Sequence, residues 1–133
     1  MKNKFIYPAV FHPENDGGYS ISFPDLEGCF TEGDNIEEAL SMAWDAAAGW
    51  LITAQKLNED IPEASDIKSI KLESDDDFIN LTVVDLLEYK KHIKPRAVKK
   101  TLSIPAWLNE EAENNHINFS SVLQQALKER LNI

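Results

Sequence analysis

Residues 98–133 restrict the fold of this chain more than any other stretch, because they pattern as one short strand and two short helices with no second strand to pair the first. In Lys99-Lys100-Thr101-Leu102-Ser103-Ile104-Pro105, apolar Leu102 and Ile104 alternate with Lys99, Thr101 and Ser103 until Pro105 stops the run. Proline suits the first position of a helix, and Trp107, Leu108 and Ala112 mark one over about Ala106 to Asn115. The turn Asn114-Asn115-His116-Ile117-Asn118 leads to a second helix near Phe119 or Ser120, with Phe119, Val122, Leu123, Ala126, Leu127 and Leu131 on one face. So short a segment cannot bury enough apolar surface by itself, and a lone strand leaves a bare edge. Both problems disappear if two copies pair their strands antiparallel and interlock their helices.

Charge separates this segment from the rest. Residues 1–89 carry five lysines, no arginine and nineteen acids, a net of −14. Residues 90–133 carry six lysines and two arginines against four glutamates, a net of +4. Nucleic acid is repelled by the first part and tolerated by the second. Two domains with different partners is the economical reading, with boundaries at 1–89, a basic linker at 90–97 and 98–133. The linker assignment rests on Tyr89-Lys90-Lys91-His92-Ile93-Lys94-Pro95-Arg96, which is weakly periodic, charged and closed by a proline.

The first part opens with strand patterns. Phe5, Tyr7, Ala9 and Phe11 alternate with Ile6, Pro8 and Val10, a strand with two mostly apolar faces. Asn15-Asp16-Gly17-Gly18 is turn chemistry, and Tyr19, Ile21 and Phe23 alternate with Ser20 and Ser22. These two segments form an expected antiparallel hairpin. Pro24-Asp25-Leu26-Glu27-Gly28 is a second turn, with Cys29-Phe30-Thr31 as a short third strand. At Gly33-Asp34-Asn35 the period changes: Asn35 is an N-cap with Glu38 three residues on, and Ile36, Leu40, Ala43, Ala47, Leu51, Ala54 and Leu57 predict a helix over about 36–57. Trp44 and Trp50 are expected to pack on the sheet, and Gly49 to allow close approach to a strand. Phe78, Ile79, Leu81, Val83 and Val84 make a last strand, followed by a short helix around Asp85 to His92.

Other features exclude chemistry. One cysteine, Cys29, forms no intramolecular disulfide and no metal cage; it reads as a half-buried small residue in a strand. Asp75-Asp76-Asp77 lacks Ca²⁺-loop spacing and reads as a solvated acidic loop within the polar stretch 61–77. No apolar run spans a bilayer and no signal-peptide core forms before Pro8 and His12, so a cytoplasmic protein without cofactor or metal is expected. His12, His92 and His116 have no nucleophile or carboxylate at a telling spacing.

The pattern over about Val98 to Leu131 resembles the ribbon-helix-helix DNA-binding domains. That resemblance implies an obligate dimer with its two-stranded ribbon in the major groove. Leu102 and Ile104 then face the core, which leaves Lys99, Thr101 and Ser103 to read base edges; a merely solvated polar face fits the same parity. Asn118, Ser120 and Ser121 begin the second helix, where free amides attract phosphate and where the same side chains serve as caps. Lys100, with Lys90, Lys91, Lys94 and Arg96, would add attraction that falls with salt.

Three local sequences in the first part carry a second resemblance: Tyr7-Pro8-Ala9-Val10-Phe11, the run from Gly18 to Cys29 with its Pro-Asp-Leu-Glu-Gly-Cys turn, and Gly33-Asp34-Asn35-Ile36-Glu37-Glu38-Ala39-Leu40. Followed by a ribbon-helix-helix, they resemble the HicB antitoxins of type II toxin-antitoxin systems. The resemblance implies an α+β chain whose N-terminal domain is partial RNase H-like, an antiparallel sheet of three strands, a long helix and a further strand. It implies that this domain binds a HicA toxin, a small basic mRNA-cleaving ribonuclease, while the C-terminal domain binds operator DNA as a homodimer and represses its own operon. The net of −14 independently suits a surface that captures a basic partner. Asp25, Glu27, Glu32 and Asp34 near the turns are candidate toxin contacts, with ordinary surface acids as the competing reading. Two rivals stand beside this: a free-standing repressor with a ligand-sensing N-terminal domain, and a metal-dependent nuclease. No carboxylate quartet falls on the predicted strands, so the chain is not read as an enzyme.

Overall fold

The computed structural model describes residues 2–133, which divide into two compact units, 2–96 and 97–133. The first holds β1 (Lys4–Pro13), β2 (Tyr19–Ser22), β3 (Phe30–Gly33), α1 (Ile36–Lys56), a 3₁₀ turn at Ile67–Ser69, β4 (Phe78–Asp85) and α2 (Leu86–Ile93). Its four strands form one antiparallel sheet in the order β3-β2-β1-β4. The architecture is α+β.

Alternation along β1 decides the faces. Phe5, Tyr7, Ala9 and Phe11 are buried with Ile21, Phe23 and Leu26 against α1, while Ile6, Pro8 and Val10 point to the other side. The hairpin closes where the Asp16 carboxylate accepts the Gly18 amide at 2.9 Å and Gly17 takes φ +91°. The third strand begins one residue later than its sequence predicts. Cys29 is bound into the preceding turn, its amide donating to the Leu26 carbonyl and its own carbonyl accepting from Phe23. Cys29 is therefore a buried turn residue and not a strand residue.

Helix α1 starts as its sequence dictates, with the Asn35 side chain accepting the Glu38 amide at 2.9 Å. Its buried stripe differs from the expected one. Ala39, Ala43, Ala47, Ala48, Leu51 and Ala54 face the sheet, whereas Ile36, Leu40 and Leu57 are exposed. Alanines let the helix settle onto large sheet side chains, which supply the volume of the core. The close approach occurs at Gly33, where a Cβ would stand 2.5 Å from the Ala39 amide nitrogen. It does not occur at Gly49, whose missing Cβ would meet open space.

The tryptophans of α1 are partly buried against the core and also hold neighbouring segments. Trp50 donates its indole N–H to the Glu27 carbonyl at 3.0 Å, holding the Pro24–Gly28 turn. Trp44 meets Tyr89 edge-on at 4.9 Å between ring centroids, with His92 at 5.5 Å, so it pins α2. That helix is capped by Asp85 and runs to Ile93, so residues 90–93 of the expected linker are helical.

The segment 57–77 is tied down at three points and is not a free acidic loop. Tyr7 donates its hydroxyl to the Pro62 carbonyl. The Asp25 carboxylate accepts the Ser65 amide at 3.0 Å and its hydroxyl. Asp77 is buried and paired with His12, while Asp75 and Asp76 stay exposed.

The second unit contains α3 (Ala106–Asn114) and α4 (Phe119–Leu131). Residues 98–104 form no ladder, because a single strand has no hydrogen-bonding partner within one chain. Pro105 is the N-cap of α3, not its first helical residue. Between the helices His116 takes φ +56°, and the amides of His116 and Ile117 close onto the carbonyls of Glu113 and Ala112 at 3.0 Å each.

Candidate functional site

The second unit offers polar and apolar surfaces that separate by sequence parity. Leu102 and Ile104 line an open groove of about 620 Å³ together with Leu108, Ile117, Phe119 and Val122. Lys99, Thr101 and Ser103 are exposed and take no part in the groove. Lys100, grouped by sequence with the DNA-contacting residues, lies on the groove side with Leu102 and Ile104. Among the described residues of this unit none is buried. Even Trp107, its largest apolar side chain, is 67% exposed.

At the start of α4 the Asn118 carboxamide accepts the Ser121 amide at 3.1 Å. Asn118 therefore acts as a cap, and the same bond occupies the amide of Ser121. Ser120 is among the residues that line the groove. Lys90, Lys94, Arg96 and Lys100 are exposed, and Lys91 is bridged to Glu88 at 3.0 Å on the surface of α2, a pair worth little in solvent.

In the first unit the four turn acids do not act as a group. Asp25 is committed to Ser65, which fixes the connecting segment to the turn. Its charge also helps burial to raise the Tyr7 phenol above its ordinary value. Glu27, Glu32 and Asp34 are exposed, the first on the turn and the others along β3 and the entry to α1. No set of three His, Cys, Asp or Glu side chains converges as a metal site among the described residues. No helix among them is long and apolar enough to cross a membrane.

The sequence reading missed one polar pair, an exposed histidine on a buried aspartate. His12 is the penultimate residue of β1, and its Nδ1 meets the Asp77 carboxylate beside a recess of about 750 Å³ between the sheet and the connecting segment. Asp77 holds the imidazole above its usual pKa through that hydrogen bond and its charge, with smaller contributions from Glu14 and Glu73. A histidine and an aspartate 65 residues apart give no local signal; only the strand register joins them.

Comparison with known proteins decides what such a pair of units is. The family described as HicB-like antitoxin of bacterial toxin-antitoxin systems matches residues 7–127, across both units. The chain belongs to this family. A protein of Haemophilus phage HP1, uncharacterized and encoded between rep and hol, is 34% identical over 104 residues, covering 77% of this chain and 75% of its own length. Antitoxin HicB 1 of Photorhabdus laumondii is 48% identical over 60 residues, which is 42% of this chain and only 36% of that protein. Among solved structures, a toxin-antitoxin complex from Streptococcus pneumoniae aligns over 96% of this chain and 99% of its own, with TM-score 0.60 and 28% identity. The Burkholderia pseudomallei antitoxin HicB shares the fold at TM-score 0.53 and 22% identity over 96% of each chain. Membership in the HicB-like family and likeness to a toxin-antitoxin complex support an antitoxin role.

Proposed function

We propose that this chain neutralises a HicA-type toxin, a small basic ribonuclease that cleaves mRNA, through its first unit, read as a partial RNase H-like fold. Residues 98–133 pair with a second copy as a ribbon-helix-helix, bind operator DNA and repress the operon. The observation that carries the second half is the exposed groove. A segment without a buried residue, whose Leu102, Ile104, Leu108 and Val122 converge on one groove, needs a second copy to close a core. Antiparallel pairing of residues 99–104 then supplies the missing ladder and turns Lys99, Thr101 and Ser103 toward the major groove. Asn118 caps α4 while Ser120 and the first amides of that helix approach phosphate. The excess of acid over residues 1–89 favours a basic partner and speeds its capture.

Co-expression with a HicA-type toxin from the adjoining reading frame tests this directly. Growth arrest should be relieved and the two proteins should copurify. Deleting residues from Lys99 onward should abolish dimerisation and repression yet spare toxin binding. A truncated chain that still represses, or an intact chain that never relieves arrest, defeats the reading.

A further inference from the structure

The face of the sheet turned away from α1 carries three apolar pairs across β1 and β4: Ile6 with Val83, Pro8 with Leu81 and Val10 with Ile79. Pro8 is buried, and Val10 sits half-buried in the recess beneath Ser69 and Ile70. The other end of the stripe is open, with Ile6 49%, Leu81 47% and Val83 53% exposed. β4 is also the outermost strand on that side. From Phe78 to Val84 it has no lysine, no proline and no charge, so it lacks the usual devices that keep an edge from pairing with other chains. The opposite edge, β3, is four residues long and carries Glu32.

Such an edge joined to an apolar patch fits a partner that adds a strand and covers the patch. Charge selects which partner. Self-pairing would bring together two copies of a segment that carries −14 over residues 1–89, with Asp75 and Asp76 exposed at the entry to each β4. At the far end Lys4 stands opposite Asp85 in register and adds no countercharge beyond it. A basic protein gains where a second copy loses. Resting on the antitoxin reading, we propose that the outer edge of β4 with Ile6, Leu81 and Val83 is the surface on which the basic toxin docks. The turn acids on the β3 side are not that surface.

The test uses the full-length chain and the co-expressed HicA-type toxin, with binding measured by calorimetry, rescue by growth, and assembly mass by light scattering. Leu81→Lys with Val83→Lys should weaken toxin binding by about tenfold or more and lose rescue. Both positions are half exposed, so circular dichroism and Tm should stay near wild type. The uncharged variant Leu81→Asn with Val83→Thr guards against misfolding and should weaken binding in the same direction. Glu32→Lys with Asp34→Lys changes the net charge more, and through the lost long-range attraction should weaken binding only a few-fold, far less than the β4 variants do. Unchanged binding in both β4 variants, or loss in the Glu32/Asp34 variant equal to theirs, overturns the docking surface. A drop in assembly mass with toxin affinity unchanged would give the face to a second copy and overturns it as well. A wild-type chain that fails to bind the toxin shows up separately and sinks the antitoxin reading itself.

Discussion

Asp77, buried just before β4, pairs with the imidazole of His12 near the end of β1, so an ionisable contact joins two residues that the sequence separates by the whole of α1. The imidazole gains a partner on folding, which raises its pKa above the unfolded value of 6.5. Its stabilising contribution is therefore complete below about pH 6.5 and is lost as the pH rises through the folded value. Glu14 and Glu73 act in the same direction, and partial desolvation acts against them. Hydrogen exchange at Ser74–Asp77 should be slower at pH 6 than at pH 8.5 by more than intrinsic chemistry explains. His12→Gln should remove that difference. Equal protection at both pH values in the wild-type chain would show that the pair does not hold the connector.

Gly33 carries the tightest approach in the first unit. Any Cβ there meets the Ala39 backbone at 2.5–2.6 Å, and backbone of a capped helix has nowhere to move. Gly33→Ala should cost about 2–3 kcal/mol by overpacking, lowering Tm by roughly ten degrees. Gly49→Ala, with open space around the new methyl, should instead gain up to about 1 kcal/mol of helix propensity. Thermal melts of the two variants side by side check both signs.

The difference between those glycines shows what the sequence can and cannot display. The hairpin, the Asn35 cap and the switch to helical period are local, and residues within a few positions of one another specify them. Which stripe of α1 is buried is not local. Ranking by hydrophobicity selects Ile36, Leu40 and Leu57, whereas the sheet already presents Phe5, Tyr7 and Phe11 and takes mostly alanines, with Leu51 as the one large side chain of the buried stripe. The connector was misread for the same reason. Asp77 looks like its neighbours Asp75 and Asp76 until strand register sets it against His12. In the second unit, alternation separates Leu102 and Ile104 from Lys99, Thr101 and Ser103, while residues 98–104 form no ladder within one chain.

Cys29 gives a chemical check on the core. Burial pushes its thiol up to about 11, so at pH 7.5 only about one molecule in several thousand carries the thiolate. An aromatic disulfide reagent should label the native chain at least about a hundredfold more slowly than the chain in denaturant, where thiols return to their ordinary range. Fast labelling without denaturant would mean that the Pro24–Gly28 turn opens readily despite the Trp50 bond to Glu27.

The two parities of residues 99–104 make separable predictions. Leu102→Asp places a carboxylate in the groove that a second copy is proposed to close, and an unpaired buried charge there is prohibitive. Light scattering should find that variant monomeric, and its operator binding should vanish. Lys99→Ala leaves the groove untouched, so the dimer should persist at wild-type mass. If Lys99 reads a base edge, its loss should cost about 1–3 kcal/mol on the operator and relax specificity at one position. If it meets only phosphate, binding should weaken on every sequence and the salt dependence should fall by about one ion. Gel-shift titrations of operator and random duplex at several salt concentrations distinguish the two. A Lys99→Ala protein with an unaltered curve on both duplexes would show that the ribbon does not lie on DNA.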